Sequence, residues 1–247
     1  MTLTLWQELA LLVTGATLAG ACVPLGAHLA QIQRFRRRWL EQELRHFVIA
    51  LGGGLLLAAV ALVLVPEGVH LVGGAFAPVA LLFIGGVVFF LLERYQGRRH
   101  REAPQLTAML ADYVPESLAI GGMFSLHPKA ALLLALLIGL QNLPEGFNAY
   151  LELAAHKRGG APRGAVMRRM WLIVPLGPLL ALLGWSLLAD GPLALGAVML
   201  LASGGILYLV FQDIAPQAQL RRHWAPPLGA VVGFGLGLLG NLLVLGE

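Results

Sequence analysis

The stretch Asp112-Tyr113-Val114-Pro115-Glu116-Ser117 has a near-copy downstream, Gln141-Asn142-Leu143-Pro144-Glu145-Gly146. Both read polar-x-aliphatic-Pro-Glu-small, and each lies near the middle of a long apolar run. In each copy the first polar residue and the glutamate are four apart, so on a helix they share a face. Each proline lacks a backbone N–H and frees the carbonyl one turn back, at Ala111 and Leu140. The motifs therefore predict two helices broken near mid-membrane, which is tolerated where such helices line a cavity.

Outward from this pair, apolar runs bounded by charge or by Pro and Gly divide the chain into eight segments. They fall at about 5–31, 47–70, 72–93, 104–125, 128–154, 166–188, 192–215 and 225–246. A helical crossing of a hydrocarbon core takes roughly 20 mainly apolar residues. The expectation is an all-α membrane protein, one polytopic domain over residues 1–247 with eight transmembrane helices. Composition agrees, with 58% of the residues apolar and 12% charged, against about a quarter charged in soluble domains. Mean hydropathy is +0.78. These values exclude a disordered chain, a collagen-like repeat, a nucleic-acid module and an ordinary soluble enzyme. The lone cysteine, Cys22, rules out an intramolecular disulfide and a cysteine-based metal site. No Lys or Arg precedes Arg34, so the first segment lacks the positive start of a signal peptide and reads as a true span.

Positive charge orients the chain. The formal net charge is +4. Arg34, Arg36, Arg37, Arg38 and Arg45 lie between spans one and two, and Arg94, Arg98, Arg99 and Arg101 between three and four. Lys157, Arg158, Arg163, Arg168 and Arg169 follow span five, and Arg221 and Arg222 follow span seven. The other face has only Lys129. Both termini are thus expected outside. The run Arg34-Phe35-Arg36-Arg37-Arg38 could be read as a phosphate-binding patch, but a positive-inside loop beside anionic lipid explains it and its three counterparts together. The preference for Arg over Lys suggests a bacterial inner (plasma) membrane.

Ionisable groups inside a span are costly and face the bundle interior or a watery cavity. If spans four and five pack antiparallel, Asp112, Glu116, Gln141 and Glu145 surround one point. Three carboxylates there cannot all be ionised without a compensating cation, and carboxylates beside freed carbonyls are good cation ligands. Gln141, Glu145, Asn148 and Glu152 continue one helix face toward the basic loops, as an exit path would. Glu152 fits a solvated helix end equally well. Span two ends Pro66-Glu67-Gly68-Val69-His70, and span seven ends Gln212-Asp213-Ile214-Ala215-Pro216. Opposite crossing senses for these ends suggest a 3+2+3 arrangement with inverted repeats. Glu67 and His70 would stand at an outer entrance. Asp213 either joins the central site or ends a helix in the cytoplasm. The glycine repeats, such as Gly229, Gly233 and Gly237, read as close helix packing.

At these residues the chain resembles the ZIP (Zrt-/Irt-like protein) family of divalent metal transporters over nearly its whole length. The paired Pro-Glu motifs are the specific part. Pro66-Glu67, then Leu91-Leu92-Glu93 before a basic loop, then Ala202-Ser203-Gly204-Gly205 through Pro216 follow in the family's order. The resemblance implies metal bound between spans four and five at Asp112, Glu116, Gln141 and Glu145. It implies a second, weaker site using Asn142 with the two glutamates, and transport of zinc, iron or manganese, usually toward the cytosol. The chain departs from the family where the fourth span usually opens His-Asn and here opens Asp112-Tyr113. It departs again at Gln212-Asp213, where two Glu are frequent, and in a 3–4 loop with only His100.

An all-oxygen ligand set favours hard cations such as Mn²⁺, Mg²⁺ or Ca²⁺ and tolerates Fe²⁺. Zinc also accepts carboxylates, so the metal stays open between Zn, Mn and Fe, carried as substrate. The remaining expected partner is the lipid bilayer; nucleic acid is not expected, and a homodimer is left open. Other readings are a carrier of protons or another cation, a non-transporting metal-binding membrane protein, and an intramembrane enzyme. The chain has no His-Glu-x-x-His, and an enzyme is not expected.

Overall fold

The computed structural model describes residues 5–32, 38–97, 104–155, 163–220 and 224–246. Among these residues the chain is all-helical. Helix α1 (Leu5–Ile32) is followed by α2 (Arg38–Ala59), which passes through a π turn at Val60–Leu64 into α3 (Val65–Val72). Next come α4 (Phe76–Gly97), α5 (Pro104–Phe124) and α6 (Pro128–Ala155). Helices α7 (Arg163–Ile173) and α8 (Leu176–Leu188) follow one another across a short turn. Helix α9 (Pro192–Leu209) runs through a second π turn at Val210–Ile214 into α10 (Ala215–Ala218), and α11 (Leu228–Leu245) closes the series. Each apolar segment expected from the sequence is helical; the second begins nine residues earlier than expected, at Arg38, and the sixth is interrupted by a turn at Val174–Pro175.

Seven helical segments among the described residues are long and apolar enough to cross a membrane. The remaining one, α5, is long enough but more polar, because Asp112, Glu116 and Ser117 lie within it. It is enclosed by α6, α8 and α9. The basic connections at Arg34, Arg36 and Arg37, at Arg98, Arg99 and Arg101, at Lys157 and Arg158, and at Arg221 and Arg222 lie outside the described residues, as does His100.

Helices α5 and α6 run unbroken through Pro115 and Pro144. This corrects the expectation of broken helices at the two motifs: neighbouring helices hold a proline-bearing turn together. The helical ladder is interrupted elsewhere, by π turns ahead of Pro66 and Pro216. There Val65 N–H donates to the Val60 carbonyl and Ala215 N–H to the Val210 carbonyl, five residues back. The wider turn gives room for the proline ring, which otherwise collides with the carbonyl four residues earlier.

Helix α1 lies along α6 and α8 along α5; α2 pairs with α11 and crosses α6, while α9 pairs with α4 and crosses α5. The four long pairings share one device. Gly26 faces the Leu143 carbonyl while Gly146 faces that of Val23, and Gly121 and Gly184 stand likewise against Ala181 and Leu118. Gly54 and Gly233 do the same with Ala230 and Leu51, and Gly85 and Gly204 with Leu201 and Leu82. A methyl group at any of the eight would overlap the opposing carbonyl, so glycine sets the close approach of these backbones. Leucine, valine and phenylalanine side chains such as Phe76, Val79, Phe83 and Leu243 cover the outside, an apolar surface far larger than a soluble monomer carries. The core gathers along α1, α5, α6 and α9.

Candidate functional site

The two motifs meet inside this bundle. Asp112, Glu116, Gln141, Asn142 and Asn148 are all buried. Gln141 Nε2 donates to Glu116 Oε2 at 2.8 Å, joining α5 to α6 through the first polar residue of one motif and the glutamate of the other. The Asp112, Glu116 and Glu145 carboxyls lie within electrostatic range of one another.

A cavity of about 60 Å³ opens beside them. One water needs roughly 10–15 Å³ on this measure, so a cation with a few waters fits. Asp112 comes from α5 and Glu145 and Asn148 from α6. Asp213 projects from the second π turn and Gln217 from α10, with Gly52 and Gly53 of α2 as the far wall. No Lys, Arg or His is among the lining residues. Asp213 is half-buried and Gln217 exposed, so polarity runs from the surface inward to Asp112.

Six buried oxygens here have no hydrogen-bond partner among the described residues: Asp112 Oδ1, Glu116 Oε1, Gln141 Oε1, both carboxyl oxygens of Glu145, and Asn148 Oδ1. Buried acceptors without donors are costly, and water in the cavity, a proton on a carboxyl or a bound cation would each satisfy them. Among the described residues no three His, Cys, Asp or Glu side chains close on a single point. A metal held here would draw on the Gln141 amide as well as on carboxylates.

Other residues singled out from the sequence lie elsewhere. Asn142 turns to α1, where its Nδ2 donates to the Ala19 carbonyl at 2.8 Å. Tyr113, at the same motif position, directs its hydroxyl to Gly20 of α1 and Gly177 of α8. Glu152, half-buried on α6, does not line the cavity. Glu67 Oε2 lies 3.9 Å from Nε2 of His127, and His70 is exposed. Gln217 closes the span-seven motif in the sequence but is not assigned to the site there, although it stands four residues after Asp213 and so shares its helix face. Sequence reasoning missed His127, whose place in the turn between α5 and α6 carries no periodic signal. The chain matches no protein-family model, and no curated protein matches it.

Proposed function

We propose that this chain is a divalent metal-ion transporter of the ZIP type, moving zinc, iron or manganese through a site between α5 and α6. The observation that carries this reading is the cluster of unpartnered buried oxygens on Asp112, Glu116, Gln141, Glu145 and Asn148, most of them at the edge of a cavity that has no cationic side chain in its lining. Asp112, Glu116, Gln141 and Glu145 hold the ion. Asn148 and Asp213 pass it toward the arginine-rich side, the cytosol under the positive-inside rule, with Glu152 further along.

Eight crossings follow if α5 spans with the rest, with both termini outside, in the plasma membrane of a bacterium. The main pairings support inverted halves: exchanging α1 with α8, α2 with α9, α4 with α11 and α5 with α6 turns α1–α6 into α8–α5, α2–α11 into α9–α4 and α2–α6 into α9–α5, all of them observed. Inverted halves permit alternating access, one group of helices rocking against the other.

The test is uptake of Zn²⁺, Mn²⁺ and Fe²⁺ into sealed proteoliposomes by the native chain and by Glu116→Ala. Flux of at least one ion, lost on substitution, supports both cargo and site. Proton flux without flux of any metal would replace the cargo. Metal flux unchanged in Glu116→Ala would move the site.

A further inference from the structure

We propose that Glu67 and His127 form a second metal site, a capture site for transition-metal ions at the end of the bundle opposite the arginine-rich connections. Glu67 stands in the first turn of α3, just after Pro66. His127 sits in the short turn joining α5 to α6, the two helices that carry the central carboxylates. The side chains come from separate elements and are 22% and 46% exposed, respectively, with Oε2 and Nε2 3.9 Å apart. That separation is too long for a hydrogen bond. It suits two donors sharing one ion, since bonds of about 2.0–2.2 Å place two ligands of a zinc ion roughly 3–4 Å apart.

The histidine is held in place before any ion arrives. Its backbone N–H donates to the Met123 carbonyl at 2.8 Å, and its own carbonyl accepts from Ala131 N–H at 3.0 Å, tying the turn to both helices. Glu67 is steadied through its neighbour Gly68, which lies against Gly196 and Leu200 of α9. His70 is three residues on, along the same face of α3, and is exposed. It does not converge with Glu67 and His127 on one point, so water would complete the shell.

The chemistry differs from that of the central site. Imidazole nitrogen suits Zn²⁺, Fe²⁺ and Ni²⁺, whereas Mg²⁺ and Ca²⁺ prefer oxygen alone. The central ligands are all oxygens, so the outer pair supplies a discrimination that the carboxylate site lacks. Glu116 and His127 are eleven positions apart along α5 and its turn, roughly 16 Å at helical rise, so the two sites would hold separate ions.

The proposal takes its biological purpose from the transporter reading, but its binding test is independent of transport. Zinc binding is measured by equilibrium dialysis of the full chain in lipid nanodiscs, with Mg²⁺ in excess. The Glu116→Ala/Glu145→Ala chain, its central site removed, is expected to retain one Zn²⁺ that His127→Gln or Glu67→Gln then eliminates. In proteoliposomes, His127→Gln alone is expected to raise the half-saturating Zn²⁺ concentration severalfold while leaving the maximal rate unchanged. Loss of all zinc from the chain lacking Glu116 and Glu145, or retention indifferent to both outer substitutions, overturns the outer site and leaves an exposed ion pair of the kind that contributes little. Retained zinc that depends on His127, in a chain showing no metal flux, upholds the capture site and sinks the transporter reading instead.

Discussion

The two π turns are the same backbone device used to opposite effect. Val60–Leu64 precedes Pro66 and Val210–Ile214 precedes Pro216 at the same spacing, so Val63 occupies the place that Asp213 takes in the second copy. Gly68 of α3 packs on Gly196 near the start of α9, which runs the two helical rods antiparallel and sets the π turns at opposite ends. Around Asp213 there is a cavity reaching Asp112 and Asn148. Val63 and Leu64, by contrast, are fully buried in the hydrophobic core, in one cluster with Ile120, Met123 and Leu134. A carboxylate at membrane depth needs water or a partner, and valine needs neither. The side chain at this position thus lines a cavity in one copy and packs in the core in the other; under the proposed transport function that asymmetry would correspond to a state open toward the arginine-rich side.

The centre shared by both ends gives the largest expected effect. Glu145→Ala removes two of the unpartnered oxygens and should reduce metal uptake beyond the roughly 10–100-fold seen on loss of a residue that merely orients a ligand. Proteoliposome flux measures it, and a change under tenfold would take Glu145 out of the site. Next are the helix contacts that make the two ends comparable. Gly54→Val and Gly204→Val, at equivalent places on α2 and α9, each drive a side chain into a carbonyl of the neighbouring helix, Ala230 or Leu82. Each should cost about 3 kcal/mol or more in unfolding measured in bicelles, and a large effect at one with none at the other would break the proposed equivalence of the halves.

Exchanging the distinguishing residues tests the comparison directly. Val63→Asp buries an acid at the packed end and should cost about 2.5–3.5 kcal/mol, unless it opens a hydrated route. Thiol labelling at a cysteine introduced for Leu64, in a Cys22→Ser background, tells those outcomes apart. Asp213→Val makes the cavity end resemble the packed one. It should slow uptake severalfold while leaving equilibrium metal binding at the centre intact, and weakened central binding would make Asp213 a ligand instead of an exit residue.

Much of this was legible in the chain because apolar run length and charge placement are strong one-dimensional signals. Pro128 and Pro192 mark helix starts to the residue, and the duplicated Pro-Glu motif identified the pair of helices that meet at the site. What sequence missed was direction in space. Pro115 and Pro144 read as breaks because a proline's local cost is visible and the bundle that absorbs it is not. The π turns went unseen because one extra residue per turn leaves no mark on hydropathy. Asp213 was ambiguous between site and helix end until that π turn aimed it into the cavity. His127 became interesting only when the fold brought α3 beside the α5–α6 turn.

The smallest effect expected concerns the motif position where spacing was most misleading. Asn142 and Tyr113 occupy the same place in the two copies, and by resemblance Asn142 is expected near a second metal, while Tyr113 stands where the family usually has Asn. Both side chains instead face α1, Asn142 through its bond to the Ala19 carbonyl and Tyr113 through its packing at Gly20. Neighbours in sequence to a helix-face residue point about 100° away from it, so a residue directly after Gln141 or Asp112 cannot share its direction without a break in the helix, and the helices are unbroken here. Asn142→Ala should therefore cost about 1 kcal/mol in stability, the net worth of one buried hydrogen bond, and leave the order of preference among Zn²⁺, Mn²⁺ and Fe²⁺ unchanged. A shifted ion preference with unchanged stability would mean that α6 turns on its axis during transport and brings Asn142 to the metal in the other state.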